Sequence, residues 1–267
     1  MENTPAVFVN RASERAMRIW TIVVLLFIYL PMVAVVLASF SKIRFFMFPI
    51  KSWSTDWYVS VFSSIAIRDY LSTSLIIAAL VTVISVVLAI AGALAFARYD
   101  WKGRSLYQKL ILLPIFFPQA VLGLAILLWS SVWDVAPGWE LAVFAHLVWI
   151  VPVVTLVISI QVYGFDPAIE EAAFDLGASR WQVFKEITFP ILWPGIFSGA
   201  LFAFLLSWGN FPLSSFTTGA EQTIPEWLYA KMVAGYTPQV PALGTLTTLL
   251  AGVLLLGGYW LGTRRRK

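Results

Sequence analysis

Apolar residues run along this chain in six long blocks, at roughly 19–40, 70–96, 110–129, 141–163, 194–217 and 243–263, and charges, prolines and turn-forming residues separate them. A bilayer core about 30 Å thick is crossed by about 20 apolar residues in helical conformation. The pattern therefore predicts an all-α membrane protein with six transmembrane helices. Pro31, Pro114, Pro118, Pro152 and Pro212 fall inside the blocks. Membrane helices tolerate proline when neighbouring helices or local adjustments satisfy the freed carbonyls. The first apolar run exceeds the 7–15 residues usual in a signal peptide and reads as a retained span. No repeat, low-complexity segment or soluble appendage interrupts the blocks, so a single transmembrane domain over 1–267 is expected.

Composition agrees: the chain is 60% hydrophobic and 12% charged, with a mean hydropathy of +0.84. One soluble core of this length does not hide that much apolar surface. The absence of cysteine excludes disulfides and thiolate chemistry. The net charge of +4 does not indicate nucleic acid, because the basic residues sit at the ends of the blocks. Arg11, Arg15, Arg18, Arg98, Lys102, Arg104, Lys109, Arg180, Lys185, Arg264, Arg265, Arg266 and Lys267 share one side of the predicted topology; Lys42, Arg44, Lys51, Arg68 and Lys231 hold the other. The positive-inside rule then puts both termini in the cytoplasm. Trp53, Trp57, Trp133, Trp139 and Trp227 near the outer ends fit an interfacial belt or packing against a partner.

The densest pattern of local signals lies in the loop 164–192, between the fourth and fifth blocks. Asp166 before Pro167 reads as a helix N-cap with proline at the first position. Glu170 and Glu171 follow early, where carboxylates suit the helix dipole. Gly177 is placed to end the helix in the left-handed conformation. Ser179 and Gln182 have capping-box spacing for a second helix. Ile169, Ala172, Ala173 and Leu176 fall at i, i+3, i+4 and i+7, forming one apolar stripe. The stripe either packs on its own bundle or receives another surface.

Glu171-Ala172-Ala173, then Gly177, then Ile187-Thr188-Phe189-Pro190 resembles the EAA loop of binding-protein-dependent ABC importer permeases, with Phe189 where leucine is usual. Ile28-Tyr29-Leu30-Pro31, Tyr70 to Leu75, Arg98 to Arg104, Trp181 to Pro190 and Leu206 to Gly219 are similar to the second permease subunit of spermidine/putrescine-type transporters. The resemblance implies a MetI-like type I ABC importer permease fold in a bacterial inner membrane. It also implies a related second permease, an ATPase dimer that binds ATP and Mg, and an extracytoplasmic solute-binding protein. This chain would then carry no cofactor, catalytic residue or metal. The loop helix would be the coupling helix, with Glu170, Glu171, Ala172, Ala173, Asp175, Gly177 and Ala178 at the ATPase.

Polar side chains inside spans are costly and usually face partners or cavities. Ser85, Gln119, His146, Ser159, Ser207 and Asn210 are such groups. Lone serines commonly bond back to their own helix, which is the expectation for Ser85 and Ser159. His146 reads as a structural hydrogen-bonder. Ser207-Trp208-Gly209-Asn210-Phe211-Pro212 weakens the fifth helix near its middle, and broken helices occur where they line a cavity or are buried in protein. Ser207, Trp208, Asn210 and Gln119 are accordingly candidates for the translocation pathway, with kinking or subunit packing as the competing account. Polyamine-type permeases commonly carry acidic residues after this serine, where this chain has Gly209 and Asn210. Trp208 still offers cation–π contact to an amine. The solute class implied is a small polar one: a polyamine or a related amine or amino-acid derivative. Ala89/Ala93 and Gly258/Gly262 have the spacing of close helix contacts.

The chain has no G-x-x-x-x-G-K-[ST], H-E-x-x-H or G-x-S-x-G. With one histidine and no mid-span acids, an intramembrane enzyme is excluded. The alternative transport reading is an ATP-independent secondary transporter or channel. It would rest on intramembrane ionisable groups or on broken helices arranged as repeats.

Overall fold

The computed structural model describes residues 11–43, 47 and 49–264, leaving the side chains of 11, 12, 259 and 261–264 outside that description. Arg44, Arg265, Arg266 and Lys267 from the topology argument lie outside the described residues, as do the side chains of Arg11 and Arg264 and the surroundings of Gly262. Every regular element among the described residues is helical. The chain divides into two compact units, 1–63 with 235–247 and 64–234 with 248–267.

In the first unit, α1 (Arg11–Ser39) carries its charges in its first turns, is apolar all round from Ile19 onward and leaves Phe27 81% exposed, as a helix facing lipid or another chain would. Its end is tied to α2 (Asp56–Ser63) by the Ser39 hydroxyl, 2.6 Å from the Tyr58 hydroxyl. The Trp57 indole donates to the Ser41 carbonyl at 2.9 Å. The start of α13 (Gln239–Arg264) joins this unit through the Gln239 amide, which donates to Ser60 at 3.0 Å.

The second unit is built on α3 (Ile65–Ala93), α7 (Trp139–Tyr163) and α10 (Phe189–Trp208). Ile77, Val81, Ala89 and Ala93 meet Ile150, Val154, Ile158, Leu192, Ile196 and Ala203 in one apolar core. Ala89 and Ala93 are fully buried there, so their spacing does serve a close contact. At the α7–α10 crossing, a Cβ on Gly195 would stand 2.8 Å from the Gln161 Cβ. Gly195→Val is therefore expected to destabilise the purified chain by about 1–3 kcal/mol through overpacking. Gly252→Ala, with open space around it, should leave the melting temperature of the detergent-solubilised protein in place. Equal melting of the two variants would refute this account of the crossing.

The third predicted span is not one straight helix. α4 (Arg104–Leu110), α5 (Leu113–Phe116) and α6 (Gln119–Val132) replace it. The chain bends by 101° between 104–116 and 119–132. Pro118 has no N–H to donate, and its ring forces Phe117 into the extended region, at ψ 135°. Among the described residues, five helices are long and apolar enough to cross a membrane, and the bent pair makes up to six.

The fifth span also departs from its predicted limits. Helix begins at α9 (Arg180–Val183) and continues through a π-helical turn, π2 (Phe184–Thr188), into α10. The expected loop 164–192 therefore ends near Ser179. At its far end, α10 gives way to α11 (Phe211–Thr217).

α12 (Ile224–Ala234) lies between the fifth and sixth apolar blocks and is not marked by them, although Thr223 and Glu226 carry its capping-box signature. The Thr223 N–H donates to the Glu226 carboxylate at 2.7 Å. Of the outer tryptophans, Trp53 and Trp133 are exposed, whereas Trp227 is buried, with the Lys231 ammonium 5.7 Å from its ring.

Candidate functional site

The loop helix forms where its local signals place it, as α8 (Ala168–Asp175). The Asp166 carboxylate accepts from the Ala168 N–H at 3.0 Å, capping the first turn. At the other end Gly177 takes φ +86°. Its N–H donates to Phe174 O at 2.9 Å, and the Ala178 N–H donates to Ala173 O at 3.0 Å. That pair of bonds is a Schellman motif, which needs a residue at ease with positive φ. Ser179 and Gln182 then complete both halves of a capping box that opens α9. Both ends of α8 are thus fixed by backbone chemistry within about a dozen residues.

No residue of α8 is buried within the chain. The apolar stripe exists but does not pack on its own bundle: Ile169 is 45% and Leu176 is 90% exposed. Ala172 is exposed and Ala173 half-buried, while Glu171, Asp175 and Gly177 are exposed and Ala178 half-buried.

Glu170 behaves differently from its neighbours. Its carboxylate turns inward, pairs with the Arg98 guanidinium and accepts from the Thr188 hydroxyl. The two side chains of the ion pair are 16% and 18% exposed. Arg98 also lies over the Phe165 ring, 5.1 Å from its centroid.

Arg98 ends a π-helical turn, π1 (Leu94–Arg98), at the base of α3, and Thr188 ends π2 at the base of α10. Carbonyls near π1 are taken up locally. Arg104 donates to Phe96 O at 3.1 Å and Gln108 to the same oxygen at 2.7 Å. A cleft of about 410 Å³ lies against α8, lined by Arg98, Tyr99, Glu170, Phe174 and Arg180 among others. α8 is therefore held at Glu170 and at its two ends, without continuous packing along its length. In the sequence Arg98 counts toward topology and a family-like segment and Thr188 lies within the EAA-loop motif, but nothing there points to Glu170, because neither contact is local in the chain.

Three of the pathway candidates lie at the break in the fifth span. Ser207, Trp208 and Asn210 are all buried within the chain. The Ser207 hydroxyl lies 2.9 Å from His146 Nδ1. Trp208 stacks on Phe204 with ring centroids 5.9 Å apart. The Asn210 side-chain oxygen accepts from the Leu213 N–H at 3.0 Å and caps α11. Each of the three residues thus has a partner within the chain at this break. Gln119 is half-buried at the first position of α6, beside the 101° bend. Ser159 bonds back to Thr155 O at 2.6 Å, as expected of a lone serine. The Ser85 hydroxyl is buried with no hydrogen-bond partner among the described residues.

Comparison with known proteins bears on the family and the fold. The putrescine transport system permease protein PotI of Escherichia coli K12 is 32% identical over 260 residues, covering 93% of this chain and 92% of that protein. The spermidine/putrescine transport system permease protein PotC of Haemophilus influenzae is 28% identical, covering 88% and 91%. Among solved structures, a bacterial ABC transporter involved in import of the polysaccharide alginate superposes with a TM-score of 0.71 at 20% identity, over 95% of this chain and 96% of that one. The MetNI methionine ABC transporter gives 0.59 at 15% identity, over 74% and 93%. These two likenesses carry the fold. Residues 85–266 match the binding-protein-dependent transport system inner membrane component family, and this chain, a multi-pass ABC importer permease subunit, belongs to it.

Proposed function

We propose that this chain forms half of the translocation pathway for a small polar solute, a polyamine or related amine, and that α8 couples it to ATP hydrolysis by a separate ATPase dimer. The observation that carries the coupling role is the exposed Ile169–Leu176 stripe on a helix whose ends and one carboxylate are fixed. Fully covering a leucine as exposed as Leu176 contributes about 1.5–3 kcal/mol, and the half-exposed Ile169 contributes correspondingly less. A short rigid element transmits a rigid-body displacement of a partner, where a slack loop would absorb it. On this reading Glu171, Ala172, Ala173, Asp175, Gly177 and Ala178 face the ATPase, while Glu170 anchors the helix from behind.

The solute class follows from the putrescine and spermidine/putrescine permeases to which the chain is similar. A second, related permease completes the pathway, and a periplasmic binding protein delivers the solute. ATP and Mg belong to the ATPase. The lysine and arginine asymmetry supports cytoplasmic termini, with α8 on the same side.

Mild-detergent purification of the tagged chain, followed by mass spectrometry, is expected to recover an ATPase and a second EAA-loop permease. Liposomes holding the recovered complex, with its binding protein added outside, should take up radiolabelled putrescine only when ATP is enclosed on the α8 side. A chain that purifies alone and moves putrescine without ATP would establish the secondary-transporter or channel reading in its place.

A further inference from the structure

The fifth span breaks at Gly209 and Asn210, between α10 and α11, and a buried imidazole from α7 touches both sides of the break. His146 is fully buried. Its Nδ1 lies 2.9 Å from the hydroxyl of Ser207, near the end of α10. Its Nε2 lies 3.1 Å from the hydroxyl of Ser214, on α11. The Ser214 hydroxyl donates its one proton to the Asn210 carbonyl at 2.7 Å, so toward His146 it can only accept. Nε2 must then carry a hydrogen. In the neutral ring Nδ1 is an acceptor, and the Ser207 hydroxyl is its donor. The bonds run in one direction, from Ser207 to His146, to Ser214, to the Asn210 carbonyl, and every hydrogen in the series has an acceptor. Asn210 adds the cap on Leu213 at 3.0 Å.

We propose that His146, as the neutral Nε2–H imidazole, is a positioning residue that straps α10 to α11, making the break a fixed elbow that travels as one body when the transporter changes state. A break governed only by Gly209 and Pro212 would flex, because neither residue adds a bond across it. The strap supplies two bonds from a third helix, and a buried network with all members satisfied specifies one arrangement.

Two measurements on the full chain test this. His146 is the only histidine, so [15N]histidine labelling of protein without a polyhistidine tag gives a single imidazole spin system. It is expected to show one protonated nitrogen, Nε2, and one unprotonated nitrogen, without averaging between them. An averaged pair, a proton on Nδ1 or two protonated nitrogens would overturn the assignment. This readout needs no partner subunit, so it stands apart from the proposed function.

The second measurement uses the absence of cysteine. Spin labels at Phe202→Cys on α10 and Ser215→Cys on α11, both exposed positions, report the angle of the elbow. One narrow distance is expected in the assembled transporter, unchanged between nucleotide-free and ATP-bound states. His146→Ala should lose that single narrow distance. Ser207→Ala, which removes one arm and spares the core, should broaden it in the same way if the alanine variant fails to fold. A distance that shifts with nucleotide, or a narrow distance that survives in these variants, would overturn the proposal.

Discussion

Gly177→Asp is expected to lower ATP-driven uptake at least about tenfold while the chain still inserts and folds. The backbone there has φ +86°, which costs a non-glycine residue roughly 1–2 kcal/mol. A carboxylate at the carbonyl end of α8 adds about 0.3–1 kcal/mol of unfavourable dipole interaction. No atom outside the glycine's immediate chain neighbours lies within 4 Å of where the Cβ would sit, so there is no steric reason for collapse. These costs are small beside a typical folding stability of about 5–15 kcal/mol. They are large for a docking surface, where about 1.4 kcal/mol changes an equilibrium tenfold. Uptake into liposomes, with membrane insertion measured in parallel, checks the expectation. Normal transport by Gly177→Asp would remove α8 from the coupling path; Gly177→Ala should lie in between.

Arg98→Ala is expected to lower the amount of solute moved per ATP hydrolysed more than it lowers hydrolysis itself. Its loss leaves the inward Glu170 carboxylate with the Thr188 hydroxyl as its remaining side-chain partner. A hydrogen bond to a charged group contributes about 1.5–3 kcal/mol, and partial exposure of this pair, at 16% and 18%, places it toward the lower end. The chain would remain folded, with α8 fixed at its ends but free to tilt. The exchanged pair, Arg98→Glu with Glu170→Arg, should recover part of the stoichiometry. Unaltered transport and stoichiometry in Arg98→Ala would mean that the tether is ornamental.

The elements that could be read from sequence are those decided by neighbours in the chain. Asp166, Gly177 and the Ser179–Gln182 pair act within four residues, through backbone groups whose needs are the same in any protein, and all of them do what their types imply. The apolar blocks likewise reveal that helices cross a membrane, because hydropathy records burial in lipid. Hydropathy carries no direction, however. Pro118 announced a break but not a bend of 101°, and the charges of Arg180, Lys185 and Glu186 hid that the helix opened by Ser179 runs on into α10. The inward turn of Glu170 was equally hidden. It lies off the apolar stripe, as Glu171 does, and what distinguishes them is Arg98, 72 residues earlier, and Thr188, 18 residues later. The same holds for Ser207 and Asn210: the sequence exposed the weak point in the fifth helix, while the side chains that occupy it come from His146, 61 residues before Ser207.

The two π-helical turns bear on how this chain tolerates change. Each amounts to an α-helix with one surplus residue, and each ends on a tether residue, Arg98 in one and Thr188 in the other. Removing a residue upstream in such a turn would swing the next side chains by about 100° around the helix axis, carrying the guanidinium or the hydroxyl away from Glu170 without altering its identity. The link to α8 is therefore encoded in spacing as well as in residue type. Substitution alone can weaken it, but a relative with one residue fewer at either helix base would have to take its tether from a neighbouring position.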